Sequence, residues 1–81
     1  MEAAEIQERV IKILSPYAKV PEALTAAGPG TRILDDLKVN SARLVDVVLA
    51  FEDEFDIEIA DEDLDKVDSI GDCVKLIAGK L

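Results

Sequence analysis

The sequence contains no histidine and a single cysteine, which leaves little of the usual enzyme chemistry. Without histidine, most general acid–base and nucleophilic schemes lose their commonest base. Cys73 alone can form neither an internal disulfide nor a multi-cysteine metal site, so we interpret it as a small buried apolar residue. A lone cysteine also fits a protein of the reducing cytoplasm.

Long apolar runs and aromatic side chains are scarce as well. Charged residues interrupt residues 1–15, so we expect neither a secretory signal nor membrane insertion. The 81 residues are expected to form one domain, residues 1–81, with a small core and little room for a deep catalytic cleft. That core must be mainly aliphatic, because the aromatic residues are only Tyr17, Phe51 and Phe55.

Acidic residues, by contrast, are abundant and unevenly placed. The net charge is -9; residues 1–34 are balanced, whereas residues 35–72 hold fourteen acidic and three basic residues. Nucleic acid and anionic membranes would be repelled by this charge, so we expect neither as a partner. A partner with a basic surface is favoured instead.

The first helix is predicted by apolar residues that share one helical face, and Pro16 should end or kink it near Ser15. These residues are Ile6, Val10, Ile13, Leu14 and Tyr17. In the connection over residues 20–38, Pro21 can begin a short helical turn, and Gly28-Pro29-Gly30 should then interrupt any regular structure. We expect this connection to be attached to the core through Ile33, Leu34 and Leu37.

The second helix, over residues 41–55, has the most regular apolar stripe. The stripe consists of Leu44, Val47, Val48, Phe51 and Phe55. Asn40 or Ser41 is expected to cap this helix by accepting a backbone N–H bond. Ser41 would also suit a phosphate group, because a helix N-terminus favours negative charge.

The last third of the chain predicts one short and one longer helix. Ile57 and Ile59 alternate with acids, but the segment is too short to form a paired strand. A short helix is expected over residues 61–67, and Asp68 or Ser69 should cap the final helix. The apolar face of that helix consists of Ile70, Cys73, Val74, Ile77 and Leu81. The sequence therefore predicts an all-α fold with three longer helices and one short helix.

Two further patterns have competing interpretations. The spacing of Asp61, Asp63, Asp65 and Asp72 partly matches a calcium loop, but the chain lacks that loop's glycine and its bidentate glutamate. We therefore expect no metal site, although loose binding of divalent ions stays open. Val45 and Leu49 form a second apolar row, which is either flanking core or an exposed docking strip. The strip would be bordered by Asp46, Asp53 and Glu54.

Residues 35–59 read Asp-Asp-Leu-Lys-Val-Asn-Ser-Ala-Arg-Leu-Val-Asp-Val-Val-Leu-Ala-Phe-Glu-Asp-Glu-Phe-Asp-Ile-Glu-Ile. This stretch resembles the bacterial acyl carrier protein family. In that family an acidic-Asp-Leu stretch precedes an Asp-Ser-Leu motif, and a helix follows that ends in an acidic run, Phe, Asp and Ile-x-Ile. The resemblance extends over residues 33–77, and residues 1–15 fit the family's first helix.

The resemblance implies a small four-helix bundle that catalyses nothing itself. It implies that Ser41 accepts 4'-phosphopantetheine from coenzyme A through a phosphopantetheinyl transferase. The thiol of this arm would hold acyl groups as thioesters. Acyl-transferring or acyl-modifying enzymes of lipid, fatty acid or secondary-metabolite synthesis would receive them. The apolar space beneath the second helix would shelter the acyl chain.

Four residues near the motif serine depart from the family pattern and favour a specialised carrier. Asn40 replaces the aspartate, Ala42 replaces the leucine, Arg43 stands at a usually acidic or neutral position, and Lys38 replaces a common glycine. Like charges across an interface are costly, so dedicated partners fit these changes better than housekeeping enzymes.

The docking surface that we predict from this resemblance surrounds the motif. Arg43 would select the partner, Val45 and Leu49 would make apolar contact, and Asn40 and Ala42 lie within the surface. The acids that would steer basic partners are Asp36, Asp46, Glu52, Asp53 and Glu54. We expect a monomer. Two alternatives remain: an unmodified acidic interaction module of the same fold, and an aminoacyl or peptidyl carrier.

Overall fold

The computed structural model describes residues 2–81 and shows an all-α architecture, which confirms the predicted fold class. Met1, which the resemblance places in the first helix, lies outside the described residues. Within residues 2–81 there is no strand, only an isolated antiparallel bridge between Arg32 and Ser69. The helices are α1 (Ala3–Leu14), α2 (Pro21–Thr25), α3 (Leu44–Phe55), α4 (Asp61–Leu64) and α5 (Ile70–Lys80).

Helix α1 ends where the sequence predicts. Ile6, Val10 and Leu14 are fully buried on one face, and a 3₁₀ turn over Ser15–Tyr17 follows. Pro16 lies in this turn, where its missing N–H and fixed φ tighten the chain. Helix α1 packs against both α5 and α3, and these three helices enclose most of the core.

The core is aliphatic apart from two phenylalanines, in agreement with the composition. No polar or charged residue is buried among the described residues. The buried cluster consists of Ile6, Val10, Leu14, Ile33, Leu37, Val39, Val47, Phe51, Phe55, Ile70, Cys73, Val74 and Ile77.

The connection between α2 and α3 is attached to the core, but not by all the predicted residues. Ile33 and Leu37 are buried, whereas Leu34 is 39% exposed, so the prediction for Leu34 is wrong. The reason is a local turn, in which the N–H groups of Asp36 and Leu37 both donate to the carbonyl of Arg32. Residues four apart on such a turn, here Ile33 and Leu37, lie on the same side of it. Leu34 follows Ile33 directly and therefore points in a different direction.

Three backbone hydrogen bonds attach the same connection to the start of α5. The Ile33 N–H donates to the Asp68 carbonyl at 3.0 Å, and the Ile70 N–H donates to the Thr31 carbonyl at 2.9 Å. The Gly71 N–H donates to the Pro29 carbonyl at 2.8 Å. A Cβ at Gly71 would lie 2.8 Å from that same oxygen, so the close approach requires glycine.

Helix α4 is shorter than predicted, because the residues after Leu64 follow a tighter path. The Lys66 N–H donates to the Asp63 carbonyl, and the Val67 N–H donates to the Leu64 carbonyl. These are i to i+3 bonds, which wind the chain more tightly than an α-helix. The predicted helix over residues 61–67 is therefore one turn of α-helix followed by a turn.

Helix α5 begins with reciprocal hydrogen bonds between Ser69 and Asp72. The Ser69 hydroxyl accepts the Asp72 N–H at 3.2 Å. The Asp72 carboxylate accepts the Ser69 N–H at 3.1 Å and the Asp68 N–H at 3.0 Å. This capping box satisfies donors that a helix start leaves unpaired. The backbone N–H groups of Ser69 and Asp68 lower the pKa of the Asp72 carboxyl below 3.8.

We expect the stabilisation by the Asp72 charge to disappear in acid. A carboxyl whose pKa is lower in the folded than in the unfolded chain stabilises the fold above the unfolded pKa. This contribution is lost as pH falls from 3.8 through the lowered folded pKa. Urea unfolding of wild type and Asp72→Asn should show a stability difference at neutral pH that closes below about pH 3.8.

Asp65→Asn is the control for this measurement. It removes one negative charge at an exposed position, where the structure describes no hydrogen bond to the side chain. A wild-type advantage over Asp72→Asn that persisted unchanged at the acid end of the series would contradict the capping-box explanation.

Candidate functional site

Ser41 lies at the exposed entrance to α3, and its neighbour Asn40 caps the 3₁₀ turn that precedes the helix. The backbone of Asn40 is extended, and its Oδ1 accepts the Ala42 N–H at 2.9 Å. Ser41, Ala42 and Arg43 then form a 3₁₀ turn that leads into α3. Of the two residues predicted as caps, Asn40 is therefore the one whose side chain accepts a backbone N–H bond. Among the described residues, no hydrogen bond engages the Ser41 hydroxyl, which remains available for chemistry.

The two other serines are less suitable for carrying a phosphate group. Ser69 is half-buried, and its hydroxyl is occupied by the capping box of α5. Ser15 follows the C-terminal end of α1, where the helix dipole disfavours negative charge. Ser41 is exposed and precedes a helix of twelve residues, whose dipole favours negative charge. Its surroundings therefore fit a phosphodiester best.

Two cationic residues flank Ser41 in the sequence. Lys38 is exposed and has a φ of 57°, a left-handed backbone conformation that residues other than glycine rarely adopt. The glycine common at this position in the resembling family would adopt it without strain. Arg43 forms an ion pair with Asp46 at 3.3 Å, but its side chain remains 65% exposed. The positive charges predicted next to the serine are thus at the surface.

An apolar cavity lies beneath α3, on the side that faces α4 and α5. Its volume is about 20 Å³, which is room for about one water-sized probe. Every lining residue is apolar, so the cavity suits hydrocarbon and not a polar group. The lining consists of Ile33, Leu44, Val47, Val48, Phe51, Ile59, Leu64, Val67, Cys73, Leu76 and Ile77.

Cys73 is buried in the wall of this cavity, as the sequence predicts for a small apolar residue. Burial raises the pKa of its thiol to about 12, and the negative charge of Asp72 adds to the shift. Since the thiolate is the reactive form, this thiol is inert at neutral pH.

Val45 and Leu49 are exposed on α3, at 60% and 57% of their surface. The interpretation of this row as flanking core is therefore wrong. Two apolar side chains one helical turn apart leave an uncovered strip that begins one turn after Ser41. A strip of this kind has the composition of a small docking surface.

Most of the carboxylates predicted to steer partners have partners within the chain. Asp46 pairs with Arg43 at 3.3 Å, and Glu54 pairs with Arg9 of α1 at 2.9 Å. The Glu52 carboxylate accepts the Ile59 N–H at 2.9 Å, and Asp36 accepts the Arg32 N–H at 2.8 Å. The structure describes no such partner for Asp53.

The exposed acids without a described ion-pair partner continue beyond the predicted docking residues. They lie after the end of α3 and along α4. The excess of acidic residues over residues 35–72 already indicates this extension, whereas the family motif covers only the helix after the serine. The additional acids are Asp56, Glu58, Asp61, Glu62 and Asp65.

The partial calcium pattern does not form a loop. Asp61 and Asp63 lie within α4, and the Asp63 carboxylate binds the Lys80 ammonium group at 3.1 Å. Within residues 2–81, no three His, Cys, Asp or Glu side chains are placed to hold a metal ion. None of the helices described by the structure is long and apolar enough to span a bilayer.

Comparisons with known proteins show the family of the chain. A family model described as a phosphopantetheine attachment site matches residues 8–77. Among solved structures, the chain is similar to the acyl carrier protein from Enterococcus faecalis, with 32% sequence identity and a TM-score of 0.81. This similarity covers 100% of both chains.

Proposed function

We propose that Ser41 carries the phosphopantetheine arm of this chain, which belongs to the acyl carrier protein family. Members of this family hold 4'-phosphopantetheine covalently and are carriers, not enzymes. The observation that supports Ser41 is that Asn40, and not Ser41, provides the cap. Because Asn40 caps the turn, the Ser41 hydroxyl is exposed and has no described structural hydrogen bond.

The residues around Ser41 fit a covalently attached phosphodiester. The start of α3 stabilises negative charge through its dipole, and the exposed Arg43 adds a nearby cation. When bound, the arm supplies a tether that ends in a thiol, on which acyl groups are held as thioesters. Ser41 itself would contribute the hydroxyl oxygen, which loses its proton and replaces 3',5'-ADP on the phosphorus of coenzyme A when the transferase acts.

Intact mass spectrometry tests the assignment. The protein is incubated with coenzyme A and a broad-specificity phosphopantetheinyl transferase, and peptide mapping then locates any added group. We expect one phosphopantetheine per chain, on the peptide that contains Ser41. Addition at Ser15 or Ser69 would contradict the assignment. No addition with several transferases would favour the unmodified interaction module.

The cavity favours acyl groups as cargo. Its lining is entirely apolar, which suits a hydrocarbon chain and would leave the polar groups of an aminoacyl or peptidyl cargo unpaired. At about 20 Å³ it must widen to hold a chain. Helix α4 is the wall most able to move, since it is a single turn between two loops.

We further propose that the carrier serves dedicated acyl-transferring or acyl-modifying enzymes in the cytoplasm, as a monomer. The strip of Val45 and Leu49 would make the apolar contact, and Asp53 would attract basic partner surfaces. Arg43, whose side chain is 65% exposed next to Ser41, would exclude partners that present a cation there.

Arg43→Asp should shift activity toward ordinary fatty-acid enzymes. The substitution replaces an exposed cation with an anion and removes the pair with Asp46, so a basic partner meets two carboxylates. We expect kcat/KM with such enzymes to rise several-fold, by lowering KM, and to fall with dedicated partners. Lys12→Asp makes the same charge change on α1 and should alter neither. Unchanged rates with both partner sets would show that Arg43 does not select the partner.

A further inference from the structure

A second groove adjoins the apolar cavity on the outer side of α4 and α5. Its volume is about 300 Å³, and its lining consists of Asp63, Lys66, Val67, Asp72, Lys75 and Leu76. Val67 and Leu76 also line the cavity beneath α3. These two side chains therefore lie between the apolar cavity and the charged groove.

The two carboxylates of this groove are already engaged. Asp63 accepts the Ala60 N–H and pairs with Lys80, and both interactions lower the pKa of its carboxyl. Asp72 is occupied by the backbone N–H groups at the start of α5. Among the described residues, no ion pair involves Lys66 or Lys75, which are both exposed.

The lining of the groove contains two lysines and two aspartates, so it is neutral within a chain whose net charge is -9. Lys80 lies beside it as the ion-pair partner of Asp63. The floor of the groove, formed by Val67 and Leu76, is apolar, and its rim offers two ammonium groups for which no ion pair is described. An anion joined to a hydrocarbon chain matches this combination.

We infer that the groove receives the far end of a long acyl chain that terminates in a carboxylate. This inference rests on the proposed attachment of acyl groups through Ser41. A chain longer than the cavity would pass between Val67 and Leu76, and its terminal carboxylate would meet Lys66 and Lys75. The apolar cavity alone would reject such a carboxylate, because burying an unpaired charge is very costly. The cargo class is therefore ω-carboxyacyl chains.

Thermal unfolding of loaded carriers tests this inference. The protein is loaded from coenzyme A thioesters with lauroyl or with the dodecanedioyl half-thioester, and intact mass confirms each product first. A failure of loading thus concerns the proposed function, and not the groove. We expect both chains to raise Tm above that of the carrier with the bare arm. Backbone amide resonances of Lys66, Val67 and Lys75 should shift more with the dicarboxylic chain.

Paired lysine variants separate the charge effect from general packing. In Lys66→Gln/Lys75→Gln, the Tm rise caused by the dicarboxylic chain should fall by at least half, while the lauroyl rise is kept. Lys12→Gln/Lys19→Gln removes the same charge from exposed sites outside the groove and should preserve both rises.

Three results would overturn the inference. The first is a dicarboxylic chain that gives no Tm rise in wild type at any length from octanedioyl to hexadecanedioyl. The second is a double variant that loses both rises equally, which would assign the lysines to general stability. The third is an equal loss in the control variant, which would indicate an effect of net charge alone.

Discussion

Ser41→Ala is expected to abolish phosphopantetheine addition completely, with no modified protein detectable by intact mass. The substitution removes the only atom that can form the ester at this position. It should leave the fold intact, because the Ser41 side chain is exposed and Asn40 supplies the cap. The circular dichroism spectrum and the melting temperature of the variant should match those of wild type.

The two other serines provide matched controls. Ser15→Ala should accept the arm at the wild-type rate. Ser69→Ala should also accept it, although loss of the α5 cap costs about 0.5–2 kcal/mol of stability. If Ser41→Ala were still modified, or if Ser69→Ala were folded but unmodified, the proposed attachment site would be wrong.

Ile77→Ala is expected to destabilise the fold by about 2–5 kcal/mol. Ile77 is fully buried on α5 and also lines the cavity, so truncation enlarges an existing void and removes contacts. A chain of this size has a total stability of about 4–12 kcal/mol, so the loss is a large fraction of the whole. Urea unfolding followed by circular dichroism measures it.

Two further variants make this prediction specific. Ile77→Val should lower the free energy of unfolding by only about 0.5–1.5 kcal/mol. It therefore still gives a measurable result if the alanine variant does not fold. Leu49→Ala truncates a side chain that is 57% exposed and should change stability by about 0.5 kcal/mol or less. Because the truncated site lines the cavity, attached lauroyl should raise Tm more in Ile77→Ala than in wild type. Equal losses for Ile77→Ala and Leu49→Ala would contradict this description of the core.

The longer helices were predictable because each repeats apolar residues over three or more turns. Helices α1, α3 and α5 follow this periodicity, and Pro16 and Ser69 mark boundaries by local chemistry. The exposure of Leu34 was not predictable, because it depends on a turn closed by backbone bonds to Arg32. The length of α4 depends similarly on i to i+3 bonds that apolar spacing does not reveal.

At the candidate site, Ser41 was identified through the resemblance to a known family. The spacing of residues alone leaves both Asn40 and Ser41 as possible caps, so it does not distinguish a structural from a functional serine. The internal partners of the carboxylates could not be predicted either. Glu54 and Arg9 are 45 residues apart, and their pairing depends on how α1 packs on α3. Glu52 reaches the backbone of Ile59 only because the chain reverses after α3.

The inert thiol of Cys73 has a consequence for cargo retention. Exchange between a thioester and a thiol proceeds through the thiolate, and burial, which raises the pKa of Cys73 to about 12, disfavours the thiolate at neutral pH. The residue lines the cavity in which a chain would rest, yet it cannot compete for the acyl group. With no histidine in the sequence, the chain also lacks the commonest base that could promote hydrolysis. Under the proposed function, the chain itself would neither take over nor hydrolyse its cargo, and the partner enzymes would set the time of release.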